Sequence, residues 1–155
     1  MLKCMRLIIP GILLLSWSAC SYLTEFYIYN DTFEEVRISY VIKSEQGYGA
    51  FSDAPRLFVF GKYNDLRAAD ELPGQINYVP ADLAVVATLA PKQALYVGNA
   101  VNFDLETDHA DLYTNLKFLN IQSPTDEIFL EGIEVTPYFE ELDRHSRYVG
   151  IVLQP

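Results

Sequence analysis

Residues 36–43 read VRISYVIK, placing Val36, Ile38, Tyr40 and Ile42 at alternate positions with Arg37, Ser39 and Lys43 among the intervening ones. Side chains alternate across a strand with a period of two, so this stretch buries one face in a sheet and wets the other. The same grain runs through the chain. Residues 25–29 (EFYIY), 56–61 (RLFVFG), 83–89, 94–98, 101–105, 116–121, 128–130, 133–135 and 148–153 are further strand candidates. Turn clusters such as Asn30-Asp31-Thr32 and Ala90-Pro91-Lys92-Gln93 separate them. Residues 62–82 are the least regular, with one or two helical turns expected after a cap at Asn64 or Asp65. No segment sustains an apolar period of 3.6. Short strands at this spacing predict an all-β fold, a single antiparallel β-sandwich of Ig-like or transthyretin-like type. A membrane barrel needs strands of about 9–11 residues, longer than these.

The first twenty residues have a different character. Lys3 and Arg6 precede nine uncharged residues, 7–15 (LIIPGILLL), and the short run Ser16-Trp17-Ser18-Ala19. That is the layout of an export signal. A transmembrane helix needs roughly 20 apolar residues, and Pro10-Gly11 weakens even the helix available here. Ser18-Ala19-Cys20 after the leucine-rich stretch resembles the lipobox of bacterial lipoproteins, with Trp17 standing where that pattern has Leu. The resemblance covers the leader alone. It implies cleavage before Cys20, diacylglycerol on the Cys20 sulfur and acylation of the new amine. Ser21, where Asp would favour inner-membrane retention, implies delivery to the outer membrane with the domain in the periplasm. The expected organisation is a signal peptide at 1–19, a tether at 20–24 and the sandwich at 25–155. Cys4 and Cys20 are the only cysteines. Cleavage therefore leaves one thiol and no internal disulfide, and lipidation explains the odd cysteine. Several acyl chains, at about 0.8 kcal/mol per buried CH₂, give stable attachment.

The series EFYIYND, EEVRISYVI and LAPKQALYVGNAVNF is similar in course to small sandwich lipoproteins. Among them are the short outer-membrane lipoprotein of type VI secretion systems, a transthyretin-like sandwich that docks an inner-membrane partner, and enterobacterial lipoproteins with an Ig-like domain. That likeness implies an envelope protein as partner. It transfers no residue motif, and fold alone does not imply function.

The formal net charge of −10 argues against nucleic acid, which needs clustered Lys and Arg. Asp104, Glu106, Asp108 and Asp111 form the densest acid cluster, and alternating acids can offer oxygens to Ca²⁺. The cluster departs from an EF-hand loop at His109, where Gly is needed, and at Asn115, where Glu is needed. A solvated loop is expected, with no cofactor. His109 and His145 are distant in sequence, and Asp143-Arg144-His145-Ser146 are too close together to converge as a hydrolase relay. No nucleophile elbow, HExxH or phosphate loop is present, so a non-enzymatic protein is expected. Asn30-Asp31-Thr32 is formally an N-glycosylation acceptor but reads as a turn. Tyr48 and Phe51, in the glycine-containing loop after Ser44, are candidate partner-binding residues. The alternative is that the loop folds back and buries them. Likewise Tyr27 and Tyr29 form either a contact surface or the second face of a covered strand. The sequence thus predicts an outer-membrane-anchored, non-enzymatic protein-binding or assembly subunit. A ligand- or Ca²⁺-binding module using the 104–111 loop is the alternative.

Overall fold

The structure is a computed structural model, and it describes residues 21–60, 70–73, 76–143 and 147–155. The leader, Cys20, the helical turns expected from Asn64 or Asp65, and His145 lie outside the described residues. Eleven strands are described: β1 (Leu23–Asn30), β2 (Val36–Ile42), β3 (Arg56–Val59), β4 (Asp70–Leu72), β5 (Ile76–Val79), β6 (Ala84–Leu89), β7 (Gln93–Val101), β8 (Leu116–Gln122), β9 (Glu127–Glu131), β10 (Phe139–Asp143) and β11 (Tyr148–Leu153). A short helix α1 (His109–Tyr113) and a 3-10 helix (Gly132–Tyr138) complete the described elements.

The strands form two sheets. One has the order β10-β11-β1-β7-β3-β4, the other β5-β6-β2-β8-β9. They pack as a sandwich, as the strand spacing predicted. Pairing is antiparallel except between β1 and β11, which run parallel. The first and last strands can pair this way because nearly the whole domain serves as their crossover.

Burial follows the alternation of β2. Val36, Ile38, Tyr40 and Ile42 are all buried and meet Phe26, Ile28, Leu95 and Ile151 from the other sheet. Strand β1 is buried on both faces. Phe26 and Ile28 point into the sandwich, while Tyr27 and Tyr29 join Phe60, Ala94, Tyr96 and Leu142 in a second apolar layer. The Tyr27 ring packs edge-on against Phe58, Phe60, Tyr96 and Tyr148 at centroid distances of 5.6–6.0 Å. Tyr27 and Tyr29 therefore belong to a covered strand face and not to a contact surface.

Two expected strands are absent. Strand β7 stops at Val101 because Asn102 adopts a left-handed φ of 55°, so 101–105 turns instead, carrying Phe103 into the core. Asn tolerates that region better than most residues. Residues 133–135 lie in the 3-10 helix, where Gly132 at φ 52° ends β9. The Glu131 backbone N–H donates to Glu134 Oε2 at 2.9 Å and starts the new turn.

Asn30 is fully buried, and its side chain is spent on structure. Nδ2 donates to Glu34 O (2.8 Å) and Leu89 O (2.9 Å), while Oδ1 accepts from the Thr32 backbone N–H and hydroxyl. An amide so engaged is a turn anchor and not an acceptor for a glycan.

Candidate functional site

Strand direction gives the sandwich two ends. Strand β1 starts at one and finishes at the other, and eight residues at about 3.3 Å each separate them by roughly 25 Å.

The N-terminal end holds Tyr22 firmly. Its backbone N–H donates to Asn102 Oδ1 at 3.0 Å, and Asn102 N–H returns a bond to Tyr22 O at 2.9 Å. The Tyr22 hydroxyl donates to Phe103 O at 3.1 Å, and the Arg147 guanidinium lies 3.2 Å from the centre of the ring. Only Ser21 separates this clamp from Cys20. Strand β1 begins at Leu23 and Thr24 is buried, so the tether expected over 20–24 is shorter than the sequence implied.

The acid cluster sits at this same end and folds upon itself. Asp104 Oδ1 accepts from Glu106 N–H and Asp108 Oδ2 accepts from Asp104 N–H, both at 2.8 Å. These bonds turn the chain into α1. Among the described residues no three His, Cys, Asp or Glu side chains gather as a metal site. Burial, helped by the Asp108 carboxylate, raises the Asp111 carboxyl above its ordinary value. The folded state then favours the neutral acid, so its contribution is present at low pH and is lost as pH rises through the raised value. Asp111→Asn is accordingly expected to stabilise the protein at pH 7 by up to about 0.5 kcal/mol. Urea melts should show the difference closing below the ordinary Asp value, about pH 4. A loss of stability at pH 7 would contradict it.

The loop after Ser44 also lies at the N-terminal end, and there Tyr48 and Phe51 part company. Phe51 is 1% exposed, packed edge-on against Tyr40 at 5.2 Å and Phe139 at 6.2 Å. It is a core residue, contrary to the expectation of a partner contact. The loop folds back because its backbone is tied down: Ala50 N–H donates to Asp111 O, Ser52 N–H donates to Val97 O, and Gly49 bridges Asn99. Gly98 allows this crossing, since a Cβ there would lie 2.4 Å from Ala50 O. Tyr48 stays 56% exposed, on the same side as the tether.

The opposite end carries the more distinctive feature. An apolar cleft of about 560 Å³ opens between the sheets, with Phe33, Val36, Ile121, Ile128, Tyr138 and Leu153 among its lining residues. That volume falls within the range of ligand and peptide pockets. Thr32, Glu34, Ser123 and Asp126 supply polar groups to the lining, which among the described residues contains neither Lys nor Arg. Four chain segments build it. The Asn30 amide pins Thr32 and Glu34, leaving Phe33 between them 84% exposed. Across the cleft, Ser123 Oγ accepts from the Asp126 N–H at 2.9 Å and Ser123 N–H donates to Asp126 O at 2.8 Å, closing a tight turn. A side chain the size of Phe left in water on a pinned turn has no packing role of its own, which makes it a contact candidate. Sequence reasoning passed over Phe33. The available signal was an aromatic residue inside a turn cluster, NDTFEE, where nothing apolar is needed for folding.

Comparison with family models, with curated proteins and with solved structures gives no match for this chain.

Proposed function

We propose that this chain is an outer-membrane lipoprotein, acylated at Cys20, that acts as a non-enzymatic binding or assembly subunit for another envelope protein. The observation that carries the reading is the opposition of its two ends. Tyr22, one residue beyond Ser21, is clamped at one end, and the apolar cleft with exposed Phe33 opens roughly 25 Å away at the other. A domain attached through Cys20 on so short a tether would present the cleft away from its membrane. A small domain with one pinned, exposed aromatic beside an apolar groove has the form of a docking module.

Two measurements test this. Palmitate labelling of the full chain is expected to disappear in Cys20→Ser, with the protein released from the membrane fraction. A photo-crosslinking residue at position 33 is expected to capture an envelope protein in intact cells, while the same group at position 48 captures none. Label retained in Cys20→Ser would remove the anchor, and equal or absent capture from both positions would remove the docking role.

A further inference from the structure

We infer that the tethered end of the sandwich rests on the lipid surface itself, with Leu23, Val101 and Tyr48 entering the headgroup layer of a zwitterionic bilayer. This deepens the proposed anchoring at Cys20 and rests on it. One support is an apolar rung that the fold does not use. Leu23 and Val101 face each other as the last pair of the β1–β7 ladder, and they are 48% and 49% exposed. Their neighbours Thr24 and Ala100 are buried. Side chains alternate along a strand, so Leu23 and Val101 lie on the outer face of the sheet, the face that carries Tyr27 and Tyr96 further along. The Glu25–Asn99 pair stands between them and that aromatic layer. An exposed apolar pair set apart from the core by a polar rung is a contact for something outside the chain.

Tyr48 extends the same surface. Gly49 bridges Asn99 in the antiparallel sense, which carries Tyr48, 56% exposed, one step further toward this end. A tyrosine suits a headgroup layer because its ring is apolar and its hydroxyl is not. Reach decides what the surface meets. Tyr22 is fixed to Asn102 and Phe103 and leads straight into Leu23. From Cys20 to Tyr22 is at most about 7 Å of chain, so acyl chains on Cys20 would hold this rung against the bilayer. A protein partner would have to enter a gap of that width. Charge then sets the class of lipid. Asp104 and Glu106 are exposed at this end, and anionic headgroups repel them where zwitterionic ones do not.

The test uses the protein purified from membranes and returned to vesicles of phosphatidylethanolamine and phosphatidylcholine. With Cys20 acylated, the thiol introduced by Val101→Cys, Tyr48→Cys or Phe33→Cys takes an environment-sensitive NBD dye at one site. Emission is expected to move to the blue at 101 and 48, with quenching by nitroxide-bearing lipid about twofold or more stronger than at 33. Replacing part of the lipid by phosphatidylglycerol should reduce both effects, and added salt should restore them. Leu23→Thr combined with Val101→Thr changes two exposed strand positions to a residue that strands accept. It should reduce the blue shift at 48 while flotation with the vesicles and the β-sheet circular dichroism stay the same. Equal emission and quenching at 33, 48 and 101, in protein that floats with the vesicles, overturns the inference and leaves the anchor standing. Indifference to phosphatidylglycerol or to the threonine pair overturns it as well. Protein that does not float removes the anchor and the inference together.

Discussion

Asn115→Ala is expected to destabilise the protein by about 3 kcal/mol, a large fraction of a domain's total stability. Asn115 is 3% exposed, and its side chain latches the loop that follows Ser44. Nδ2 donates to Ser44 O at 3.0 Å and to Phe51 O at 2.9 Å, while Oδ1 accepts from Ser44 N–H at 3.1 Å. Alanine would leave the Ser44 N–H and the buried-bond acceptor Phe51 O without these partners, while Ser44 O keeps the Gly47 N–H, and each orphan of this kind costs about 1–3 kcal/mol. Loss of the latch should also loosen Phe51, whose ring fills the core against Tyr40. The close approach of Gly47 makes the claim sharper. A Cβ on Gly47 would stand 1.9 Å from Asn115 Oδ1, so Gly47→Ala must displace the same amide. Its cost should therefore approach that of Asn115→Ala in the native protein and vanish in the Asn115→Ala background, a strongly non-additive pair. Urea unfolding of the two single variants and the double variant measures this. Additive losses, or a loss below about 1 kcal/mol for Asn115→Ala, would show that the amide does not latch the loop.

What the sequence revealed depended on whether local pattern or distant packing decided each element. Strand β2 was legible because one of its faces is core and the other is not, so its alternation survives in the residue types. Strand β1 was legible as a strand, but the role of Tyr27 and Tyr29 was not, since a face covered by aromatics and a face used for binding have the same composition. Strands β4 and β10 hid behind polarity. Their residues, DEL and FEELD, belong to sheet edges, where one flank and much of the side-chain surface meet water. The parallel pairing of β1 with β11 has no local signature at all. Similarly, Tyr48 and Phe51 are three residues apart in one loop with like surroundings in sequence. Their separation into an exposed ring and a core ring is decided by Asn115, far along the chain. The cleft is the extreme case: residues from positions 32 to 155 line it, and no spacing within any one segment announces it.

The second large effect is expected at alkaline pH. Tyr40 is fully buried, with its hydroxyl donating to Ser52 O at 2.8 Å. Burial, reinforced by Asp53, pushes its phenol far above the ordinary tyrosine value. Tyr27 moves the same way, again through burial first and then through Glu25, whose Oε2 accepts its hydroxyl at 2.9 Å. In both cases the folded state holds the proton more tightly than the unfolded chain does. Stability from this source is therefore complete below about pH 10, where neither state ionises. Above that, the unfolded chain gains by releasing protons, and each such tyrosine lowers folding stability by about 1.4 kcal/mol per pH unit. Two of them remove about 5 kcal/mol by pH 12, comparable with the lower end of a domain's stability. The expected result is a cooperative unfolding between about pH 11 and 12, with phenolate absorbance and loss of β-sheet circular dichroism rising together. Tyr27→Phe should reduce the steepness by close to one proton, because it removes one of the withheld ionisations. It should cost less than about 1 kcal/mol at pH 7, since the lost bond reaches only a side-chain carboxylate near the surface. Tyrosines that titrate near pH 10 in a protein with intact β signal would mean that the two rings are not shielded as described. A steepness unchanged by Tyr27→Phe would place the withheld protons elsewhere in the aromatic layer.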